Sequence, residues 1–98
     1  MSNASGINTL YIDTTGTVFS YSALIHKAIF NVDNGATGTL TIRDNGSGGT
    51  IVLVLRNDND VSLDIDFPEP IQCGTNIHAT ISGTGATAIL LISDNMLR

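Results

Sequence analysis

Val61-Ser62-Leu63-Asp64-Ile65-Asp66-Phe67 alternates apolar and polar residues over seven positions without a fault. Successive side chains of a β-strand point to opposite faces, so an extended backbone gathers Val61, Leu63, Ile65 and Phe67 on one side and Ser62, Asp64 and Asp66 on the other. A helix would scatter the same residues around its circumference. The stretch reads as a strand with one face in a core and the other in water. Pro68 and Pro70 follow, and neither can donate a ladder hydrogen bond. They are expected to stop the pairing, leaving residues 69–74 as a crossing connection or a brief edge strand.

The same period recurs on both sides. Leu10 and Ile12 oppose Thr9, Tyr11 and Asp13; Leu40 and Ile42 oppose Thr39, Thr41 and Arg43; Ile77, Ala79 and Ile81 oppose His78, Thr80 and Ser82. Residues 17–32 form a longer β-reading region, firm over 25–32, in which Tyr21-Ser22-Ala23-Leu24 would alternatively be a bend or one helical turn. Turns are expected at Asp33 to Ala36, Asp44 to Gly49, Asn57 to Asp60 and Gly83 to Gly85, where Asn, Asp and Gly tolerate tight reversals. The second and fourth read as hairpin tips. The strands Ile51 to Leu55 and Ala88 to Ile92 are apolar on both faces, the pattern of segments that want cover on both sides.

These segments give about seven or eight strands with gaps of only a few residues. Parallel α/β architectures are excluded, because each parallel crossover needs about a dozen residues. The fold class is all-β: an antiparallel β-sandwich, jelly-roll-like, formed by residues 1–98 as one domain with a short polar lead-in. Immunoglobulin-like connections remain the alternative. Leu40, Ile42, Leu53, Leu63, Ile65, Phe67, Ile77 and Ile81 are expected between the sheets, with Ile65 and Phe67 among the most sensitive to truncation.

Ninety-eight residues carry nine acids and four Lys or Arg, a net charge of −5. No stretch concentrates basic residues into a phosphate-binding patch, which argues against direct nucleic-acid binding. Charged residues make up 13% of the chain and apolar ones 42%, so the usual charged coat is thin. A neighbouring subunit covering part of the outside explains that deficit. Cys73 is the only cysteine and reads as a small buried thiol, with no intrachain disulfide and no cysteine-based metal site. No export signal or membrane-spanning run is visible.

Several residues invite a chemical reading. Asp64 and Asp66 project from one strand face with Cα atoms about 6.6 to 6.8 Å apart, a spacing open to paired carboxylates, but their alternation with Leu63, Ile65 and Phe67 already explains them as solvated positions. Asn57, Asp58, Asn59 and Asp60 form the densest cluster of oxygen donors. It lacks the central glycine and terminal glutamate of a calcium loop, and a turn fits better. Asp33, Asp44 and Asp94 have the same turn reading. His26 and His78 fall short of the three or four ligands zinc needs; His26 reads as a satisfied polar group at the core margin and His78 as an exposed sheet residue. Ser20, Ser22 or Ser62 would have to meet one of them to form a hydrolase pair, and no nucleophile elbow is present.

The glycine runs Gly46-Ser47-Gly48-Gly49 and Gly83-Thr84-Gly85 lack the lysine or the following helix of phosphate and dinucleotide loops. The five aromatic residues are too dispersed for a stacking platform, although Tyr11 sits on an outer face near Asp13. No catalytic, cofactor-binding or metal-binding residue is assigned.

The succession Gly38-Thr39-Leu40-Thr41-Ile42-Arg43-Asp44-Asn45-Gly46, Gly49-Thr50-Ile51-Val52-Leu53, Ile65-Asp66-Phe67-Pro68-Glu69-Pro70-Ile71 and Gly74-Thr75-Asn76-Ile77-His78-Ala79-Thr80-Ile81-Ser82-Gly83-Thr84-Gly85-Ala86 resembles small β-rich proteins encoded in the structural regions of tailed bacteriophages. The likeness covers residues 28–92 and rests on strands and turns. It implies a virion accessory protein, such as a capsid decoration or cement protein or a small tail component, assembled in the host cytoplasm, often as a homotrimer on the major capsid or other virion proteins. The alternatives are a carbohydrate- or receptor-binding module, a cellular interaction domain and, least, an enzyme. Among sister subunits, Val52 and Val54, together with either Ile89 and Leu91 or Ala88, Leu90 and Ile92, are the apolar groups expected to be covered.

Overall fold

The computed structural model describes residues 7–33, 35–58 and 62–94. They form eight strands: β1 (Asn8–Ile12), β2 (Gly16–Phe19), β3 (Ala23–Asn31), β4 (Gly38–Asp44), β5 (Thr50–Asn57), β6 (Leu63–Cys73), β7 (Ile77–Ser82) and β8 (Thr87–Asp94). Two four-stranded sheets result, sheet A with order β1-β8-β3-β6 and sheet B with order β2-β7-β4-β5. Every pairing is antiparallel.

The pairings nest: β4 with β5, β3 with β6, β2 with β7 and β1 with β8. This is one long antiparallel ribbon folded at the β4–β5 hairpin and then wound, so that β3 also meets β8 and β4 also meets β7. Only β4 and β5 are consecutive neighbours in a sheet. Gly83 to Gly85, expected as a hairpin tip, therefore carries the chain from sheet B to sheet A. The turn at Asp33 to Ala36 carries it from A to B, closed by the Ala36 N–H donating to the Asp33 carbonyl at 2.9 Å, with Gly35 at φ 80°. Short-range turn chemistry serves a corner between sheets as well as a hairpin, so the residues alone do not separate the two.

Residues 17–32 are not one strand. The chain bends at Tyr21 and leaves sheet B for sheet A. Thr15 extends the β2 edge with its side chain: the Ile81 N–H donates to Thr15 Oγ1 at 3.1 Å, and the same hydroxyl reaches the Ile81 carbonyl at 3.4 Å.

The prolines do not end β6, which runs on to Cys73. It is one of the two edge strands of sheet A, where a missing N–H donor costs least. Pairing passes from Lys27↔Asp66 to Ile25↔Ile71, so residues 67–70 arch past the single residue His26. Against β8, His26 is likewise an extra residue, which turns Ile25 and Ala28 both inward.

The largest fully buried side chains of the core are Ile12, Ile25, Phe30, Leu40, Ile42, Ile77, Leu90, Ile92 and Cys73. Leu40, Ile42 and Ile77 are where the alternation puts them. Leu53, Leu63, Ile65, Phe67 and Ile81 pack against the core but remain half-buried. Their strands explain the shortfall for β5 and β6, which are sheet edges with a neighbour on one side only. The central strands of both sheets, β3 and β8 in sheet A and β4 and β7 in sheet B, supply most of the largest buried side chains instead.

Candidate assembly surfaces

The loops at one end are locked by reciprocal side-chain bonds. Asp44, the last residue of β4, accepts from the backbone N–H groups of Thr75 at 2.9 Å, Gly74 at 3.0 Å and Asn76 at 3.4 Å. In return the Asn76 side-chain oxygen accepts from the N–H groups of Asn45 and Gly46 at 3.1 and 3.0 Å. Asn45 and Gly46 hold φ of 78° and 82°, a left-handed pair that aims both amides at one acceptor. Partial burial opposes ionisation of Asp44, but the amides of Thr75, Gly74 and Asn76 outweigh it and hold the carboxyl below its ordinary value. The turn reading of Asp44 is corrected: it is the last residue of β4, and the backbone groups its carboxylate satisfies belong to a loop some thirty residues away rather than to its own turn.

Cys73 is buried in the core behind this clamp. Desolvation, and secondarily the Asp44 charge, push its thiol up to about 11. A thiol so poised is a packing group at neutral pH.

Asp64 and Asp66 lie on the outer face of β6, with Lys27 of β3 between them: Nζ is 3.2 Å from Asp64 and 3.7 Å from Asp66. The hydrogen bond that Lys27 donates to Asp64, and then the Asp64 charge, lead in raising the Lys27 pKa, with Asp66 adding to them. A lysine shared by two outward carboxylates on a sheet face makes a surface ion pair. Asp58 pairs with Arg56 at 2.9 Å, whereas Asn59 and Asp60 lie outside the described residues. Asn57, placed in a turn by the sequence, instead ends β5 with its side chain buried, its Nδ2 donating to the Phe30 carbonyl. Among the described residues no group of three metal-ligating side chains converges.

His26, half-buried at the bulge, shares a hydrogen bond of 2.7 Å with Ser93 on β8. The serine it meets is none of Ser20, Ser22 and Ser62; the strand register, invisible in the sequence, selects Ser93. Among the described residues no acid is bonded to this histidine to complete a triad. His78 is the clearest correction. It faces outward, as its parity requires, yet it is only 8% exposed and its Nδ1 is closed to solvent without a partner. Its cross-strand neighbours are Thr17 and Arg43.

The outer faces carry apolar groups on both sheets. In sheet A, Ala88, Leu90 and Ile92 are the core set, so Ile89 and Leu91 face outward, half-buried, beside outward Leu24 and Ile29 of β3. One cross-strand row reads Tyr11, Ile89, Ile29, Asp64, and its Tyr11 is 62% exposed. In sheet B the edge strand β5 exposes Val54 and Ile51, 53% and 51% accessible. The ladder shifts register between Ile42 and Arg43 with Val52 as the extra residue, so Ile51 leaves the face of Leu53 and Leu55 and is exposed, while Val52, expected beside Val54 on the face covered by sister subunits, packs half-buried against the core.

These features define the class: an eight-stranded antiparallel β-sandwich with weakly charged, partly apolar outer faces. No protein-family model matches the chain, and no curated protein or solved structure matches it.

Proposed function

We propose that this chain is a non-enzymatic virion structural protein, a capsid decoration or cement protein or a small tail component. It acts through protein–protein contacts as a homo-oligomer, with three subunits the stoichiometry of choice. The observation that carries the reading is the outward row on sheet A, where the two central strands β8 and β3 present Ile89, Leu91, Ile29 and Leu24 instead of the polar residues that keep a free sheet face soluble. The exposed Ile51 and Val54 on the opposite sheet and the small charged fraction point the same way. The nested strand pairing supports the finer description of the sandwich as a jelly roll. The virion assignment draws on the phage resemblance of residues 28–92, with the major capsid protein or another virion protein as partner and host-cytoplasmic assembly. In a density gradient of particles from its source, an antibody to the chain is expected to label the band of assembled virions. Signal confined to the soluble fractions would contradict the assignment.

One observation favours carbohydrate or receptor binding as the second reading. Tyr11 near the end of β1 and Asp13 just beyond it are both exposed, an aromatic ring two residues from a carboxylate. A glycan-array signal abolished by Tyr11→Ala would move the account to that reading.

A further inference from the structure

Among the described residues, Lys27 and Arg56 sit in ion pairs, whereas Arg43 sits in none. Its cross-strand neighbour His78 is the residue whose Nδ1 is buried without a hydrogen-bond partner. A bare ring nitrogen is best tolerated as an acceptor, which puts the ring proton on Nε2 as a donor. Directly paired residues of antiparallel strands project from the same face. The outer face of sheet B therefore presents a guanidinium and an imidazole side by side on a chain of net charge −5, flanked by Ile51, the other cross-strand neighbour of Arg43.

The complement is on the other sheet. Asp64 and Asp66 share one ammonium, and Asp66 is the farther at 3.7 Å and has a side chain 78% accessible; Glu69 on the same strand is exposed too. The β6 edge thus keeps a surplus of negative charge beside outward Ile29 and Leu91. We propose that Arg43 and His78 of one subunit receive Asp66 of the next, in a head-to-tail contact between copies of this chain that rests on the homo-oligomer reading above. Opposite charge sets the register, and Ile51 and Val54 pack against the apolar row of sheet A. Such a contact joins two different patches, so it is heterologous and closes into a ring where the rotation permits. The basic patch lies on the central strands β7 and β4 of sheet B and Asp66 on the β6 edge of sheet A, so the two patches occupy different sheets of the sandwich.

The test is a charge exchange read by light-scattering mass on the full chain over a dilution series, with circular dichroism confirming the β spectrum of each variant. Arg43→Glu and Asp66→Arg are each expected to raise the concentration of half-dissociation by roughly tenfold or more, and the double variant to return it toward the parent value. The milder Arg43→Gln and Asp66→Asn should weaken assembly in the same order if a reversal perturbs folding. Single variants that dissociate where the parent does, or a double variant no tighter than the singles, would overturn this contact while leaving the oligomer standing. A parent chain of 10.3 kDa throughout would overturn both.

Discussion

The side-chain amide of Asn57 donates to the main-chain oxygen of Phe30 at 3.1 Å, joining the edge strand of sheet B to a central strand of sheet A. A polar group 2% exposed in a sandwich interior is tolerated only because it is bonded, and this bond ties the two sheets together at that point. Asn57→Ala is expected to cost about 1–3 kcal/mol, and Asn57→Asp more, since a carboxylate cannot donate and carries charge into the core. Urea unfolding at neutral pH measures both. An Asn57→Ala midpoint equal to the parent's would refute the role.

Truncation in the core should follow the observed burial. Phe30 is fully buried between β8 and β6, whereas Phe67 is half-buried on an edge strand. Phe30→Ala is expected to cost about 3–5 kcal/mol and Phe67→Ala distinctly less. Denaturation of the two variants side by side gives the ranking, and the reverse order would contradict the core described here.

The ranking differs from the one the alternation suggests, and the reason is physical. Period-two patterning states which face of a strand is apolar, and it placed Leu40, Ile42 and Ile77 in the core. It is silent on whether a strand is central or at an edge. Leu63 to Phe67 alternates on the edge strand β6 and Leu40 to Ile42 alternates on the central strand β4, while the equally central β8 is apolar on both sides. Bulges were equally hidden: His26 and the register step beside Ile51 reverse parity at single residues. The surface chemistry was legible in part. Asp64 and Asp66 are the outward pair expected, but Lys27, Ser93 and Asn76 reach their partners through long-range pairings that no local spacing encodes.

The Asp44 clamp should make stability fall in acid. Its pKa is lowered in the folded state, so its contribution is complete above the ordinary value of 3.8 and is lost as pH falls through that value toward the lower folded one. Asp44→Asn is expected to destabilise by about 2 kcal/mol at neutral pH and to flatten the acid limb. Thermal melts between about pH 2.5 and 7 provide the comparison. An acid limb as steep in the variant as in the parent would remove Asp44 from the explanation.

Cys73 should resist alkylation while the chain is folded. Its thiol is buried and titrates near 11, so little thiolate exists at pH 7.5 and little of it is accessible. Iodoacetamide labelling followed by mass spectrometry is expected to proceed only through unfolding, accelerating sharply in urea. Rapid labelling of the native chain would show that the β6–β7 end opens far more readily than the clamp permits.

Assembly is the central claim, since the apolar outer row of sheet A, the exposed Ile51 and Val54 and the sparse charge all find one explanation in cover by neighbouring subunits. Absolute mass by light scattering, followed from submillimolar to micromolar protein, tests it most directly. The account predicts a species near 31 kDa, three times the 10.3 kDa chain, that persists on dilution. A mass near 10.3 kDa at both ends of the series would contradict it.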